Sequence, residues 1–117
     1  MAGSNRNHIN AAIAEAHGYD TAVHKYGHIG IQPPGKVTAP GRDFITFDPE
    51  EEEVVVWDAK YRRAGKFYPR ALSAYKLKRW MPEIMAAIRR LPAGQLRNSA
   101  IKALHEGRRR GQIFRWP

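Results

Sequence analysis

The chain has 117 residues, 20 Lys plus Arg against 11 Asp plus Glu, and no Cys. That length suits one domain with one modest core, and the lack of cysteine excludes a disulfide framework, a thiolate zinc site and a cysteine nucleophile. No apolar run approaches the roughly 18 residues of a membrane span, no apolar stretch follows the first basic residue as in a secretory leader, and a formal net charge of +9 points to a polyanionic partner.

In chain order, Asn5 to His17 reads as a helix, with Ile9, Ala12, Ile13 and Ala16 at i, i+3, i+4, i+7 as its apolar face. Ser4 or Asn5 can cap its start and Gly18 end it. Tyr19–Ile31 is mixed, and its apolar residues serve a strand or a short helical turn equally well. Gln32–Gly41, with three prolines and two glycines, is a loop. Arg42–Asp48 and Glu53–Tyr61 read as strands, rich in β-branched and aromatic residues, with Pro49–Glu52 as the turn between them. Gly65–Pro69 is a second loop. Ala71–Leu91 is helical by composition; Pro82 either kinks it or opens a new first turn there. After Pro92-Ala93-Gly94 a further helix buries Leu96, Ala100, Ala103 and Leu104. Gly107 and Gly111 frame Arg108-Arg109-Arg110, and Gln112–Trp116 alternates like a short strand. Trp57, Trp80 and Trp116 read as core.

Charge is unevenly spread. Residues 1–59 hold four basic and nine acidic side chains, a net −5, and residues 60–117 hold sixteen basic and two acidic, a net +14. Carboxylates that hold cations, beside a basic surface that holds phosphates, would give this pattern; so would a basic binding protein with a solvated acidic turn.

The hairpin concentrates the chemistry. With a four-residue loop between antiparallel strands, Asp48 faces Glu53 and Asp43 faces Asp58, with Lys60 on the same face as Asp58. Opposed carboxylates repel, and a hard cation such as Mg²⁺ would offset that. It would polarise a phosphodiester, while Lys60 orients the attacking water or meets the charge building on phosphorus. Val54–Trp57 is an unbroken apolar run, which suggests a central strand buried on both faces, with Asp58 and Lys60 at its exit.

The stretch GRDFITFDPEEEEVVVWDAKYRRAG resembles the core motif of the PD-(D/E)xK nuclease superfamily, Asp43 matching its first acidic position and Asp58 and Lys60 its second element. Arg42 stands where the motif's name has proline. More narrowly, the order of elements resembles the C-terminal nuclease domains of bacterial polymorphic toxins, including contact-dependent growth-inhibition toxins. The resemblance implies a single nuclease domain over residues 1–117, of restriction-endonuclease-like α/β fold: a central mixed β-sheet flanked by helices. It implies a divalent-metal-dependent endonuclease, with Asp43, Asp58 and, from the first helix, Glu15 as metal ligands and Lys60 as the fourth catalytic residue. It leaves transfer RNA and DNA both open as substrates, with transfer RNA slightly ahead. It also implies delivery into the cytoplasm of a target bacterium as part of a larger secreted protein, and a cognate acidic immunity protein as partner.

Arg62, Arg63, Lys66 and Arg70, interleaved with Tyr61, Phe67 and Tyr68, could hold phosphates and stack bases beside the site, or form a solvated basic loop. Lys76, Lys78 and Arg79 on one helix, and Arg108–Arg110, are further basic groups without an assigned contact. His24 and His28 have helical metal-ligand spacing but no evident third ligand, and read as solvated or hydrogen-bonded histidines. Two other functions fit the composition: a non-catalytic nucleic-acid-binding module, and a metal-independent RNase using histidine acid–base pairs.

Overall fold

Residues 2–35, 43–61 and 71–117 are described by a computed structural model of the chain, with side chains from residue 9 onward. A first helix, α1, spans Ala2–Asp20 and loosens into a π-helical turn, Thr21–Lys25, closed by the Tyr26 N–H donating to the Thr21 carbonyl at 3.1 Å. Strand β1 (Ile29–Gln32) follows, so the mixed segment divides into helix, turn and strand. The hairpin is β2 (Phe44–Asp48) and β3 (Glu53–Tyr61). Helices α2 (Ala74–Arg89) and α3 (Gln95–His105) lead to β4 (Arg109–Trp116).

The four strands form one mixed sheet in the order β1-β2-β3-β4. The β1–β2 and β2–β3 pairs are antiparallel, and β3–β4 is parallel, joined through α2 and α3. The register of the hairpin is the one its loop length dictates, with Asp48 opposite Glu53 and Phe44 opposite Trp57. Val54, Val55 and Val56 are completely buried and Trp57 is 2% exposed, as the apolar run requires of a central strand covered on both faces.

Alternation along β3 divides the core. Val54 and Val56 pack with Ile45, Ile84, Ile88 and Leu104 under α2 and α3. Val55, Trp57 and Ala59 pack with Phe44 and Ala14 under α1. Ser73 caps α2, its hydroxyl accepting the Lys76 N–H at 3.2 Å. The helix runs through Pro82 without restarting. Gly107, at φ 73°, ends α3, where the Arg108 N–H reaches the Ala103 carbonyl and the Gly107 N–H the Leu104 carbonyl, the paired bonds of a Schellman motif.

Two expectations are corrected. The stripe Ile9, Ala12, Ile13, Ala16 faces solvent, with Ile9 59% exposed. The buried side of α1 is Ala14, Glu15 and Gly18. Small residues win there because the helix lies close on the sheet: a Cβ on Gly18 would sit 2.9 Å from Phe114. The last strand begins at Arg109, not Gln112, and Gly111 lies inside it. Leu72 explains the glycine, since a Cβ on Gly111 would be 2.6 Å from the Leu72 Cβ.

Candidate functional site

Strand β3 outruns β2. Among the described residues its β2-side edge, from Trp57 toward Tyr61, has no strand partner beyond Phe44, while β4 continues beside it to Trp116. Asp43 fills the gap with both its backbone and its side chain. Its N–H donates to the Trp57 carbonyl at 2.8 Å, and its carboxyl Oδ2 accepts the Ala59 N–H at 2.6 Å. The simple cross-strand pairing expected for Asp43 with Asp58 is therefore replaced at this end by a side chain that extends the ladder. The outcome for the carboxyl groups is the expected meeting: Asp43 is hydrogen-bonded to Asp58 and also to Glu15.

Glu15 arrives from α1 on the buried side of that helix, 5% exposed, and Asp58 is 6% exposed. Lys60 Nζ lies 3.2 Å from Asp58 Oδ2, with 41% of its side chain in solvent. Four residues expected at the site are thus gathered at one end of the sheet. The other four, Arg62, Arg63, Lys66 and Arg70, lie outside the described residues, as does the Gly65–Pro69 loop.

The electrostatics follow from burial of three neighbouring carboxyl groups, of which, among the described residues, Asp58 alone is paired with an ammonium. Burial, the hydrogen bonds to Glu15 and Asp58 and the Asp58 charge push Asp43 up to about 8, against the lowering effect of the Ala59 N–H. Glu15 is also raised, by burial and by the Asp58 charge, while its hydrogen bond from Asp43 works the other way. Asp43 therefore holds the proton at neutral pH and shares it with its neighbours. Among the described residues no group of three His, Asp or Glu side chains stands ready-spaced for a metal ion; Asp43 instead sits in hydrogen-bond contact with the other two carboxyls. The donor set, all carboxylate oxygen from three separate elements, has the chemistry of a hard divalent cation site, and a cation would displace the shared proton.

The acidic turn at the other end of the hairpin is built differently. Asp48 Oδ1 accepts the N–H groups of Glu50 and Glu51 at 3.0 and 3.3 Å, and its Oδ2 is 3.3 Å from Arg110 and 3.5 Å from His28 Nε2. Arg110 also bonds Glu53, and Arg108 pairs with Glu106 at 2.7 Å while its Nε donates to the Glu52 carbonyl. Burial works to raise Asp48, but the two backbone N–H groups, His28 and Arg110 outweigh it and hold it below the ordinary value. Arg108 and Arg110 are thus ion-paired within the fold.

His28 is buried, its Nδ1 2.8 Å from Thr46 Oγ1, which also accepts the Trp57 indole N–H at 2.9 Å. The line Asp48–His28–Thr46 has the order of a hydrolytic triad, but Thr46 is completely buried and ties β2 to β3. Burial is the main reason His28 is held below its usual value. His24 is exposed and 3.5 Å from Asp20. Of the three tryptophans, Trp57 is core, and Trp80 and Trp116 each pack against one of the two core clusters; Trp116 also stacks on exposed His17, centroids 3.7 Å apart.

The site thus defines a mixed α/β protein with a buried carboxyl cluster and a lysine at the open end of a central strand. Comparison with models of known families finds no match, and comparisons with curated proteins and with solved structures find none either. No helix among the described residues is long and apolar enough to cross a membrane.

Proposed function

We propose that the chain is a divalent-metal-dependent nuclease, with Glu15, Asp43 and Asp58 as metal ligands, Lys60 as a further catalytic residue, and a core of the restriction-endonuclease-like kind. The observation that carries this reading is the convergence of those carboxyls from α1, the start of β2 and β3, with Lys60 Nζ 3.2 Å from Asp58. Buried carboxyls that must share a proton are poorly arranged for stability alone, and such strain concentrates at functional sites.

When bound, the cation supplies Lewis-acid polarisation of the phosphodiester. The chain does the rest. Asp43 and Asp58 hold their positions through the β3 backbone, and Glu15 closes the set from α1. Lys60, anchored by Asp58 yet half in solvent, orients the attacking water or meets charge developing on phosphorus. Magnesium is the expected ion, and transfer RNA, ahead of DNA, the expected substrate. The same reading makes the chain a toxin domain that acts in a target bacterium's cytoplasm after delivery within a larger protein. Its cognate immunity protein would be acidic enough to cover a basic cleft.

Incubation of the purified domain with plasmid and with total transfer RNA, in Mg²⁺ and in EDTA, tests the proposal. Cleavage of either substrate in Mg²⁺ only, abolished by Lys60→Ala and by Asp58→Asn, is the expected result. Full cleavage in EDTA would give the activity to a metal-independent RNase instead. A second reading, a non-catalytic nucleic-acid-binding module, draws on the hydrogen-bonded contact of the carboxyls; there the trio is structural, and Asp58→Asn leaves binding intact or strengthens it.

A further inference from the structure

Lys60 on β3 is paired in the parallel ladder with Arg115 on β4. Partners in such a ladder project from the same face. The pairing two residues earlier, Asp58 with Ile113, and the one before it, Val56 with Gly111, lie on the α2–α3 side, where Val56, Leu72 and Ile113 pack. Phe114 and Trp116 point the other way, into the α1 cluster. Arg115 therefore shares the face and the sheet end of Asp58 and Lys60.

Two cations directly opposite on neighbouring strands destabilise a sheet. Lys60 is answered by Asp58. Arg115, half-buried, has no carboxylate partner among the described residues, whereas Arg108 and Arg110, on the same segment, are both ion-paired. The acidic turn those two arginines bind lies beside the opposite end of β4, where Arg109 pairs with Val54, about 16 Å of strand from Arg110 to Arg115. Among the described residues Arg115 is thus uncommitted, on the strand next to Lys60 and at the sheet end of the carboxyl cluster, at a cost in like-charge repulsion.

We propose that Arg115 and Lys60 form a phosphate-binding site, in which the Arg115 fork grips non-bridging oxygens of a nucleic-acid phosphate next to the Asp43–Asp58 cluster. Guanidinium geometry suits a bidentate grip on phosphate. As a substrate clamp this rests on the nuclease reading; as an anion site it stands on the strand pairing alone.

The test measures binding of a fluorescein-labelled single-stranded oligonucleotide in EDTA across a salt series, for wild type, Arg115→Gln and Arg115→Lys. Arg115→Gln should weaken binding about five- to twentyfold and reduce the slope of log K against log salt by about 0.7, the loss of one phosphate contact. Arg115→Lys should restore the slope but only part of the affinity. The unfolding midpoint of Arg115→Gln should stay level or rise, because a like-charge pair is removed, a result a merely structural arginine would not give. In Mg²⁺ the variant should raise KM more than it lowers kcat. Unchanged affinity and slope, or a lowered unfolding midpoint, overturns the proposal. If wild type binds and never cleaves while the slope change persists, the nuclease reading falls and the phosphate site stands. If wild type cleaves and Arg115→Gln matches it in affinity, slope and KM, the phosphate site alone falls.

Discussion

Replacing Asp43 by Asn keeps an acceptor for the Ala59 N–H but removes the ionisable group, and so isolates the proton that the site holds. In the unfolded chain this carboxyl titrates near 3.8, and in the native protein at about 8. Between those values the native state binds one proton more than the unfolded state, so stability falls as pH rises and levels off above 8. Each tenfold change in proton affinity is about 1.4 kcal/mol. The whole shift therefore corresponds to at most about 6 kcal/mol, which relaxation of Glu15 and Asp58 and entry of water should bring to about 2–4 kcal/mol. Glu15, also raised, adds to the trend with the same sign.

The assay is urea unfolding in EDTA at pH 5, 6.5 and 8.5. From pH 6.5 to 8.5 wild type should lose stability, and Asp43→Asn should lose markedly less, so that the variant is the more stable protein at pH 8.5; the pH 5 point also carries the opposing titration of His28. Mg²⁺ should recover part of the wild-type loss at pH 8.5 and do little for the variant. Parallel pH profiles for the two proteins would refute the account of a shared, burial-trapped proton.

The acid limb should depend on the other end of the hairpin. His28 is held below its ordinary 6.5, so the unfolded chain gains a proton first as pH falls, and stability present above 6.5 is lost below it; His28→Gln should flatten that limb in the same urea series. Asp48, held below 3.8, contributes stability that is lost as pH falls through its native value, and Asp48→Asn should remove that final step. Gly111→Ala, which drives a Cβ to 2.6 Å from the Leu72 Cβ, should cost about 1–3 kcal/mol by urea unfolding.

Local pattern sufficed for the hairpin. A four-residue loop between β-branched strands fixes register, and with it the neighbourhood of Asp43, Asp58 and Lys60. It failed for α1, because the residues that dock it are small and the buried one with functional interest is charged. Ala14 and Gly18 carry little hydropathy, whereas Ile9 and Ile13 carry much and lie in solvent. Glu15 stood out only as the sole acid between Asn5 and His17, on a helix that the resemblance expects to supply one. Arg115 was invisible to local reading because its significance is a pairing with Lys60, fifty-five positions earlier in the chain. The strand character of Arg109–Arg110 was hidden for the same reason: their surroundings are set by Val54 and Val55 and by the acidic turn.

One strand pair carries acidic clusters at both ends, and their charge balance separates them. At the turn, Asp48, Glu52 and Glu53 are met by Arg108, Arg110, His28 and two backbone N–H groups. At the open end, Glu15, Asp43 and Asp58 are met by Lys60, one backbone N–H and a proton. A balanced cluster is what holding a turn requires; on the proposed function the unbalanced one is where a cation binds. The contrast is measurable with two substitutions of the same kind. Arg110→Ala strands Asp48 and Glu53 and should cost about 2–4 kcal/mol, leaving any cleavage by the folded fraction intact. Lys60→Ala removes an ammonium that is 41% exposed but leaves buried Asp58 without it, so it should cost less than Arg110→Ala, which strands two carboxylates, and on the proposed function it should abolish cleavage. If Lys60→Ala instead unfolds the protein while Arg110→Ala is harmless, the two ends have been assigned the wrong way round.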